Sequence, residues 1–519
     1  MKFGMKSLLC FCLAALMMVG FVGCSNVGAS SKTEQTELKV AYGKDTGVAS
    51  EKGNGDMLLT IFAGERLVEV VDGEVVPSIA ESWEVKDSGK TISFKIKEGL
   101  KFSDGSDLTA KDVKLKFDRN IATKNTSWTE VDRIEKIEVA DDYTINFYYK
   151  DGMDGYVALA GFAEYGNTIV SPNSFQTPGD PTTPMVKFIG SGPWKVADYV
   201  KDQYTTFVPN ENYSGDPVKL EKITVSMIKD DEARVLAIQS GDVDAVVDYY
   251  HGGSAYTPRN LLSSLKEEGF QVLKQEMPMT TVLAFNYTNN EAWKNLKLRQ
   301  ALNYAINKDE ISGLFDGWIS PANDAYFSDC SPYTTALGKQ SYKYNPEKAK
   351  SLLTEAGITG FSPKMIVNSE NADEVKLAEL LQSMLKESDI NLQLDVMDAT
   401  KYAEVKKTAD WDLCSYYIGG PERRIYSRNE GRFDKTAPEF GSSGCFTSDT
   451  IAASVQKAVD PFDEKERKAG FKEFYAAIDA ETACVPLYYD AVFVVANEGV
   501  EGVEFIGSEP RFDQVTYKK

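Results

Sequence analysis

The chain has 519 residues, of which 42% are hydrophobic, and it carries a formal net charge of −21 at pH 7. This length and composition allow a large buried core, and we expect at least two globular lobes in a monomeric protein. A surface this acidic repels phosphate groups, which argues against nucleic-acid binding and against membrane docking through a basic patch.

The first residues have the pattern of an export signal. Lys2 and Lys6 precede an apolar run from Leu8 to Val22 that is short for a membrane span, as in a cleaved signal peptide. We therefore predict a signal peptide at residues 1–23. Its removal would leave 496 residues with a net charge of −23, two units below that of the whole chain.

The sequence Phe21-Val22-Gly23-Cys24 resembles the lipobox of bacterial lipoproteins, in which the Cys is acylated and becomes the new N-terminus. The resemblance implies a lipid on Cys24 that anchors the protein at the outer face of the cytoplasmic membrane. The alternative is a plain secretory signal with an incidental Cys. Residues 24–37 are rich in Ser, Thr and Gln without periodicity, which predicts a solvated tether,.

Alternating apolar residues predict strands with one buried face in the first half of the chain. The patterns are Ile92-Phe94-Ile96 and Ile145-Phe147-Tyr149. We expect this early region to be rich in β-structure.

A helical period follows in the second half. Asn345 is placed to cap a helix that begins at Pro346 and ends at Gly357,. Apolar residues at helical spacing predict two more packed helices, around 298–306 and 377–385,.

Two predicted strands alternate with these helices. One covers Leu392 to Val396, and another follows Asp410. Alternating helices and strands are typical of a mixed α/β lobe.

The chain contains one histidine, His251. Catalytic triads, HExxH sites and multi-His metal sites all need His at defined places, and the surrounding sequence DYYHGG provides none of them,. No Walker or GxGxxG loop is present. We therefore expect no enzymatic activity and no cofactor, with His251 in a loop or, alternatively, as a metal ligand.

The cysteines after Cys24 are scattered without CxxC spacing. They are Cys330, Cys414, Cys445 and Cys484. Isolated cysteines in a chain of this length are typical small core residues, although an exported protein allows a disulfide among them.

Several blocks occur in a characteristic order. The first, residues 70–113, contains AESW, SGKT, FSDG and AKDV, and the later ones include GSGPWKV, AIQSGDVDAV, LAFNYTN, LRQALNYAINKDEI and YNPEKAKSLLTEAG. In sequence and order these blocks resemble the solute-binding proteins of the peptide/nickel ABC importer family, known as extracellular solute-binding protein family 5. They extend over almost the whole chain after the signal peptide.

The resemblance implies an α/β fold of the two-lobed periplasmic-binding-protein type, in its large form with three subdomains and a hinge of crossing strands. The expected parts are lobe I at 38–278 and 490–519, its β-rich subdomain at about 84–188, and lobe II at 279–489. A ligand closed between the lobes and the permease subunits of an ABC importer are the implied partners.

The segments NENYSG, LNYAINK and VPLYYDAVFVVAN are most similar in sequence to the nickel-binding branch of this family. Trp128 and Tyr402 fall where that branch has aromatic residues facing a metal chelate. Asn125 and Thr168 stand where it has arginines for the carboxylates of the chelator. Two further positions, Ile418 and Glu422, stand where it has aromatic residues.

The segment after Ile418 supplies the remaining candidates for ligand binding. In the peptide branch this segment carries an acid for the ammonium group of the ligand, and Glu422 is the acid present here. Arg423 and Arg424, followed by Arg428 and Arg432, either clamp an anion in the cleft or balance acids on a solvated loop.

Tyr416 and Tyr417 precede that segment. They either take alternate faces of a strand, one in the core and one outward, or line the cleft. The ligand remains open between a nickel chelate and a peptide, with a preference for an anionic ligand because of the paired arginines. A receptor or chaperone that closes on its ligand without import is the alternative class.

Overall fold

A computed structural model describes residues 35–47, 57–71, 74–123, 133–152, 155–248, 259–322, 342–408, 410–419, 432–435, 446–459 and 464–518. The strands are β1 (Glu37–Tyr42), β2 (Val68–Val71), β3 (Glu74–Pro77), β4 (Ala80–Lys86), β5 (Thr91–Ile96), β6 (Ile134–Asp141), β7 (Thr144–Tyr149), β8 (Trp194–Val200), β9 (Tyr204–Pro209), β10 (Lys222–Met227), β11 (Ala245–Asp248), β12 (Gln271–Phe285), β13 (Ser320–Pro321), β14 (Lys364–Asn368), β15 (Gln393–Met397), β16 (Leu413–Gly419), β17 (Cys484–Ala496), β18 (Val500–Glu501), β19 (Glu504–Ile506), β20 (Glu509–Arg511) and β21 (Thr516–Tyr517).

The helices are α1 (Met57–Ala63), α2 (Ala110–Ala122), α3 (Gly155–Phe162), α4 (Asp231–Gln239), α5 (Leu262–Glu267), α6 (Leu296–Ala305), α7 (Lys308–Leu314), α8 (Pro346–Glu355), α9 (Ala372–Glu387), α10 (Ala399–Thr408), α11 (Asp449–Val459) and α12 (Glu464–Glu481). None of these described helices combines the length and the apolar character that a membrane span requires.

Two long antiparallel strands, β12 and β17, lie at the centre of a large mixed sheet. The strand order is β15-β14-β16-β12-β17-β11-β1-β10-β9-β8, and β13 also pairs with β17. The β12–β17 pairing extends from Gln271 opposite Ala496 to Ala284 opposite Cys484. Its register shifts between Glu276 and Thr280, so the ladder is irregular near its middle,.

Two groups of parallel strands flank this central pair. On one side β1 pairs in parallel with β10 and β11, and on the other β14 pairs in parallel with β15 and β16. The last residue of β11, Asp248, lies opposite Phe493 of β17, and the last residue of β16, Gly419, lies opposite Met279 of β12. The carboxyl ends of both groups therefore point toward the middle of the central pair.

The central strands contribute to two separate hydrophobic cores. Val282 and Leu283 of β12 belong to a core built from residues 282–488, as do Cys484 and Val485 of β17. Farther along the same strands, Met277 and Val492 belong to a second core that includes β1, β10 and α1. Each long strand is thus buried in one core at one end and in the other core at its other end.

A third core fills the early β-rich region that the alternating pattern predicts. The four-stranded sheet β4-β5-β7-β6 packs there against α2 and α3. Phe94, Phe117, Phe147 and Phe162 meet edge to face, and Trp83 is half-buried against this core. Both predicted strands are confirmed as β5 and β7.

The predicted helices of the second half are also confirmed. Asn345 caps α8, since its side chain accepts a hydrogen bond from the backbone N–H of Lys348, and Gly357 beyond the end has φ +68°. The buried stripes of α6 and α9 face the 282–488 core. Cys414 and Cys484 are buried in that core, as expected for isolated cysteines.

A close backbone contact explains the glycines of the GSGPWKV block. A Cβ atom on Gly190 would lie 2.0 Å from the backbone oxygen of Ala63, and one on Gly192 would lie 2.7 Å from the carbonyl carbon of the same residue. No side chain fits at either position. The glycines therefore let the segment before β8 pack directly on the end of α1.

Candidate ligand-binding site

Three of the residues predicted to bind ligand lie within the described structure: Tyr402, Tyr416 and Tyr417. The other candidates lie outside the described residues. They are Trp128, His251, Glu422, Arg423 and Arg424, together with the lipidation candidate Cys24.

The three tyrosines lie at one edge of the sheet. Tyr416 and Tyr417 are near the carboxyl end of β16, and Tyr402 is on α10, which follows β15 directly. The carboxyl ends of parallel strands are the usual ligand-binding edge of an α/β sheet. This edge faces the carboxyl ends of β1, β10 and β11 across the middle of the central pair.

Tyr416 and Tyr417 form a stacked pair. Successive side chains of a strand normally point to opposite faces, yet these two rings are nearly parallel, with an interplanar angle of 7° and centroids 5.0 Å apart. Both are half-buried, and Tyr416 packs on the 282–488 core while Tyr417 packs on the second core. Of the two alternatives for this pair, that of one core residue and one outward residue does not match the arrangement, since each ring packs against a core.

Two cations approach the tyrosine rings. Arg432 Cζ lies 4.1 Å from the ring centroid of Tyr416 and 5.5 Å from that of Tyr417. Lys406 Nζ lies 3.9 Å from the centroid of Tyr416 and 5.3 Å from that of Tyr402. These distances are within the range of favourable cation–π contact. We call these five residues, with Glu374, the tyrosine cluster.

Glu374 joins the cluster from the first turn of α9. Its Oε1 accepts a hydrogen bond from Ser415 Oγ at 2.9 Å and one from Tyr402 Oη at 3.5 Å. Burial raises the pKa of Glu374 despite these bonds and the charge of Lys406, and burial lowers the pKa of Lys406. Among the described residues, the tyrosine cluster thus combines one acid, Glu374, with two basic side chains, Lys406 and Arg432.

A second buried group, which we call the Arg259 network, lies beside the tyrosine cluster. Arg259 Nη1 donates to Asp373 Oδ2 at 3.1 Å, and Arg259 Nη2 donates to Asp490 Oδ1 at 2.9 Å. Asp490 is on β17, and Asp373 is on α9 next to Glu374. The first turn of α9 thus contributes one carboxylate to each group.

Asp248 completes the Arg259 network at the end of β11. The residue is 2% exposed, and neither of its carboxylate oxygens has a hydrogen-bond partner in the described part of the chain. Burial raises the pKa of Asp248 well above its usual range; the charges of Arg259 and Arg234 act against this shift, and those of Asp490 and Asp373 add to it.

The described residues offer no ready metal site. They contain no group of three or more His, Cys, Asp or Glu side chains placed to hold a metal ion. At this edge the described residues supply aromatic rings, cations and carboxylates.

Two positions where the nickel-binding branch differs are core residues here. Thr168 is 1% exposed, and its hydroxyl donates to the backbone oxygen of Tyr165 at 2.7 Å. Ile418 is fully buried in the 282–488 core.

Sequence reasoning missed most of the groups around the tyrosines. It did not select Glu374, Lys406, Asp248, Arg259, Asp373 or Asp490. One available signal was the spacing of four residues between Tyr402 and Lys406, which places both on one face of a helix. Another was the Asp at the end of the buried strand AVVD.

Comparison with known proteins identifies the class. The model of the family "Bacterial extracellular solute-binding proteins, family 5 Middle" matches residues 74–423. Since this range covers more than half of the chain, the protein belongs to that family of extracellular solute-binding proteins.

Curated relatives and a solved structure agree with this assignment. The nickel-binding periplasmic protein of Escherichia coli K12 is 23% identical over 465 residues, covering 86% of this chain and 87% of the relative. A putative ABC transporter peptide-binding protein of Brucella ovis is 28% identical over 448 residues, covering 82% and 81%. The crystal structure of NikA from Brucella suis in complex with Fe(III)-EDTA matches with a TM-score of 0.82 at 23% identity, covering 93% of this chain and 100% of that one. The predicted two-lobed periplasmic-binding-protein fold is confirmed by this likeness.

Proposed function

We propose that this protein is the lipid-anchored solute-binding component of an ABC importer, and that it captures an anionic solute, a nickel chelate or a peptide, for delivery to the permease. The observation that carries the proposal is the tyrosine cluster at the carboxyl ends of β14, β15 and β16. Aromatic rings and cations at this edge suit a ligand with a planar or carboxylate-bearing part.

The proposed binding cleft lies between two lobes, with lobe I at residues 38–278 and 490–519, and lobe II at residues 279–489. The two hydrophobic cores on either side of the middle of β12 and β17 support this division. The register shift between Glu276 and Thr280 supports a hinge at that point, since an irregular ladder bends more easily than a regular one,.

The ligand class is supported by relatives of two kinds. One is named a nickel-binding protein and another a peptide-binding protein, and both align with more than four-fifths of this chain. Anionic groups are common to metal chelates and peptides. We propose that Arg423 and Arg424 bind such a group together with Arg432, and that Trp128 adds a further aromatic surface.

Substitution of the paired arginines tests this clamp. Replacing Arg423 and Arg424 together by Ala should weaken ligand binding by roughly 2 to 5 kcal/mol if they hold a buried carboxylate. The affinity is measured by calorimetry with the solute that co-purifies with the wild type. An unchanged affinity would place both arginines on a solvated loop.

The anchor rests on the resemblance of residues 21–24 to a lipobox. Cys24→Ala should release the protein from the membrane fraction into the soluble fraction or the medium. Cys484→Ala is the matched control, because Cys484 is a buried residue far from the leader in sequence, and its replacement leaves residues 1–24 unchanged. Membrane retention of the Cys24→Ala protein would refute lipid anchoring.

The solute is identified by native mass spectrometry with metal analysis, on Cys24→Ala protein purified without removal of its ligand. A co-purified mass that contains nickel supports chelate import. A series of peptide masses without metal supports a peptide receptor. Isolated permease subunits that fail to bind the loaded protein would indicate a receptor that works without import.

A further inference from the structure

We propose that Asp248, with Asp373 and Asp490, forms a binding site for a positively charged nitrogen of the ligand, either a primary ammonium or a guanidinium. The site lies beside the tyrosine cluster and deepens the proposed function, on which it rests. It implies that the solute carries both a cationic and an anionic group.

The described part of the Arg259 network contains more acidic than basic side chains. Its three carboxylates share one guanidinium among the described residues, because Arg234, the other nearby cation, is paired with Asp231 at 2.6 Å. Two negative charges are therefore uncompensated in a buried place, where an unpaired charge is costly. Such a site binds protons or a cation.

The carboxylates of this network also offer hydrogen-bond acceptors. Both oxygens of Asp248 and the Oδ1 atom of Asp373 are buried without a hydrogen-bond partner among the described residues. These are three acceptor atoms, as many as the N–H groups of a primary ammonium. Burial of such oxygens without a donor is rare in proteins, since each one loses its hydrogen bonds to water.

Charged side chains from several elements act on Asp248. The charges that act on its carboxyl come from Arg234 of α4, Arg259 before α5, Asp373 of α9 and Asp490 of β17. Arg259 bonds both Asp373 and Asp490 and fixes their positions. Arg259 is thus a positioning residue, and Asp248 is the group left to meet the ligand.

The anionic and the cationic group of the ligand would bind at different places. A cation is disfavoured at the tyrosine cluster, where Lys406 and Arg432 already lie over the rings. The neighbouring residues Asp373 and Glu374 place the two groups side by side on the first turn of α9. A zwitterionic solute can therefore present its anion to the tyrosine cluster and its cation to Asp248.

The test uses ethylammonium chloride as the probe and tetramethylammonium chloride as the control, at equal ionic strength, with dialysed full-length protein in a titration calorimeter. Ethylammonium should bind saturably, whereas tetramethylammonium should not, because it has no N–H to donate. Asp248→Asn should weaken ethylammonium binding at least about tenfold, since it removes a charge-assisted bond of the kind that is worth roughly 1.5 to 3 kcal/mol.

Asp242→Asn is the matched control, because this exposed acid precedes the same strand; it should bind ethylammonium as the wild type does. Titration in two buffers of different ionisation enthalpy adds a second readout. The wild type should release a proton on binding, and Asp248→Asn should release less. Equal binding of both cations, no saturable binding by the wild type, or an unchanged Asp248→Asn affinity would each overturn the proposal.

The same variants separate this inference from the proposed function. Equal co-purification of solute with the wild type and with Asp248→Asn would leave solute binding intact and refute the cation site. Ethylammonium binding that depends on Asp248, in a protein that never carries or imports a solute, would support the cation site and refute the proposed function. If Asp248→Asn does not fold, the comparison of the two cations on the wild type still decides.

Discussion

Removal of the Arg259 side chain should destabilise the protein strongly. Its guanidinium makes two charge-assisted hydrogen bonds, at 3.1 and 2.9 Å, to carboxylates that are almost fully buried. Arg259→Met keeps much of the apolar volume and removes the charge, which leaves Asp373 and Asp490 buried without their cation. Breaking a buried ion pair in this way costs about 3 to 5 kcal/mol of unfolding free energy.

The loss of unfolding free energy caused by Arg259→Met should depend on pH in a defined direction. Burial already raises the pKa of Asp490, and the charge of Arg259 lowers it; without Arg259 it rises further. A carboxyl group whose pKa is higher in the native state binds protons that the unfolded chain has released, so stability falls as pH rises through that interval. The destabilisation by Arg259→Met should therefore be larger at about pH 8 than at about pH 5.

Urea unfolding followed by tryptophan fluorescence measures both effects. Lys229→Met is the control, because Lys229 forms a 3.8 Å ion pair with Glu370 while remaining 75% exposed, and exposed pairs contribute little. It should leave the midpoint almost unchanged at both pH values. A loss below about 1 kcal/mol for Arg259→Met, or the same loss at both pH values, would refute the reasoning from buried charge.

Three further predictions concern other parts of the fold. Asn345→Ala should lower the unfolding free energy by about 1 kcal/mol, measured by urea unfolding, because it removes the side-chain cap of α8,. Gly192→Ala should lower the thermal midpoint clearly, since its Cβ would clash with the backbone of Ala63. Gly161→Ala is the control and should leave the midpoint unchanged, because a Cβ atom added there meets no described atom of another segment within 4 Å. Burial raises the pKa of Glu65 from 4.5 to about 7, so the wild type should lose stability as pH rises across that interval and Glu65→Gln should lose less; parallel curves for the two proteins would contradict this.

Local patterns predicted the elements of the fold well where one short segment carried the whole signal. The cap at Asn345 and the alternation from Ile92 to Ile96 depend on neighbouring residues only, and both match the structure. The stacking of Tyr416 on Tyr417 was not predictable in this way. It depends on where the end of β16 meets two cores, and no single segment contains that information.

The candidate binding site was predictable only in part for the same reason. The resemblance selected Tyr402, which the structure places beside Tyr416 through Lys406. Asp248 and Asp490 are more than two hundred residues apart in sequence, and Arg259 links Asp490 to Asp373 only after the sheet has formed. In the sequence Arg259, Asp373 and Asp490 resemble ordinary surface charges, and only Asp248 carries a local signal, as the end of the apolar strand AVVD. Their burial is a property of the assembled fold.

The two long strands have a mechanical consequence for the melting of the molecule. β12 and β17 each supply side chains to both large cores. Unfolding of one core therefore disorders the same two strands that the other core needs. The two halves should therefore melt as one cooperative unit in a calorimeter, with a single heat-absorption peak. The same construction should let the molecule resist the partial unfolding that would expose either core to proteases.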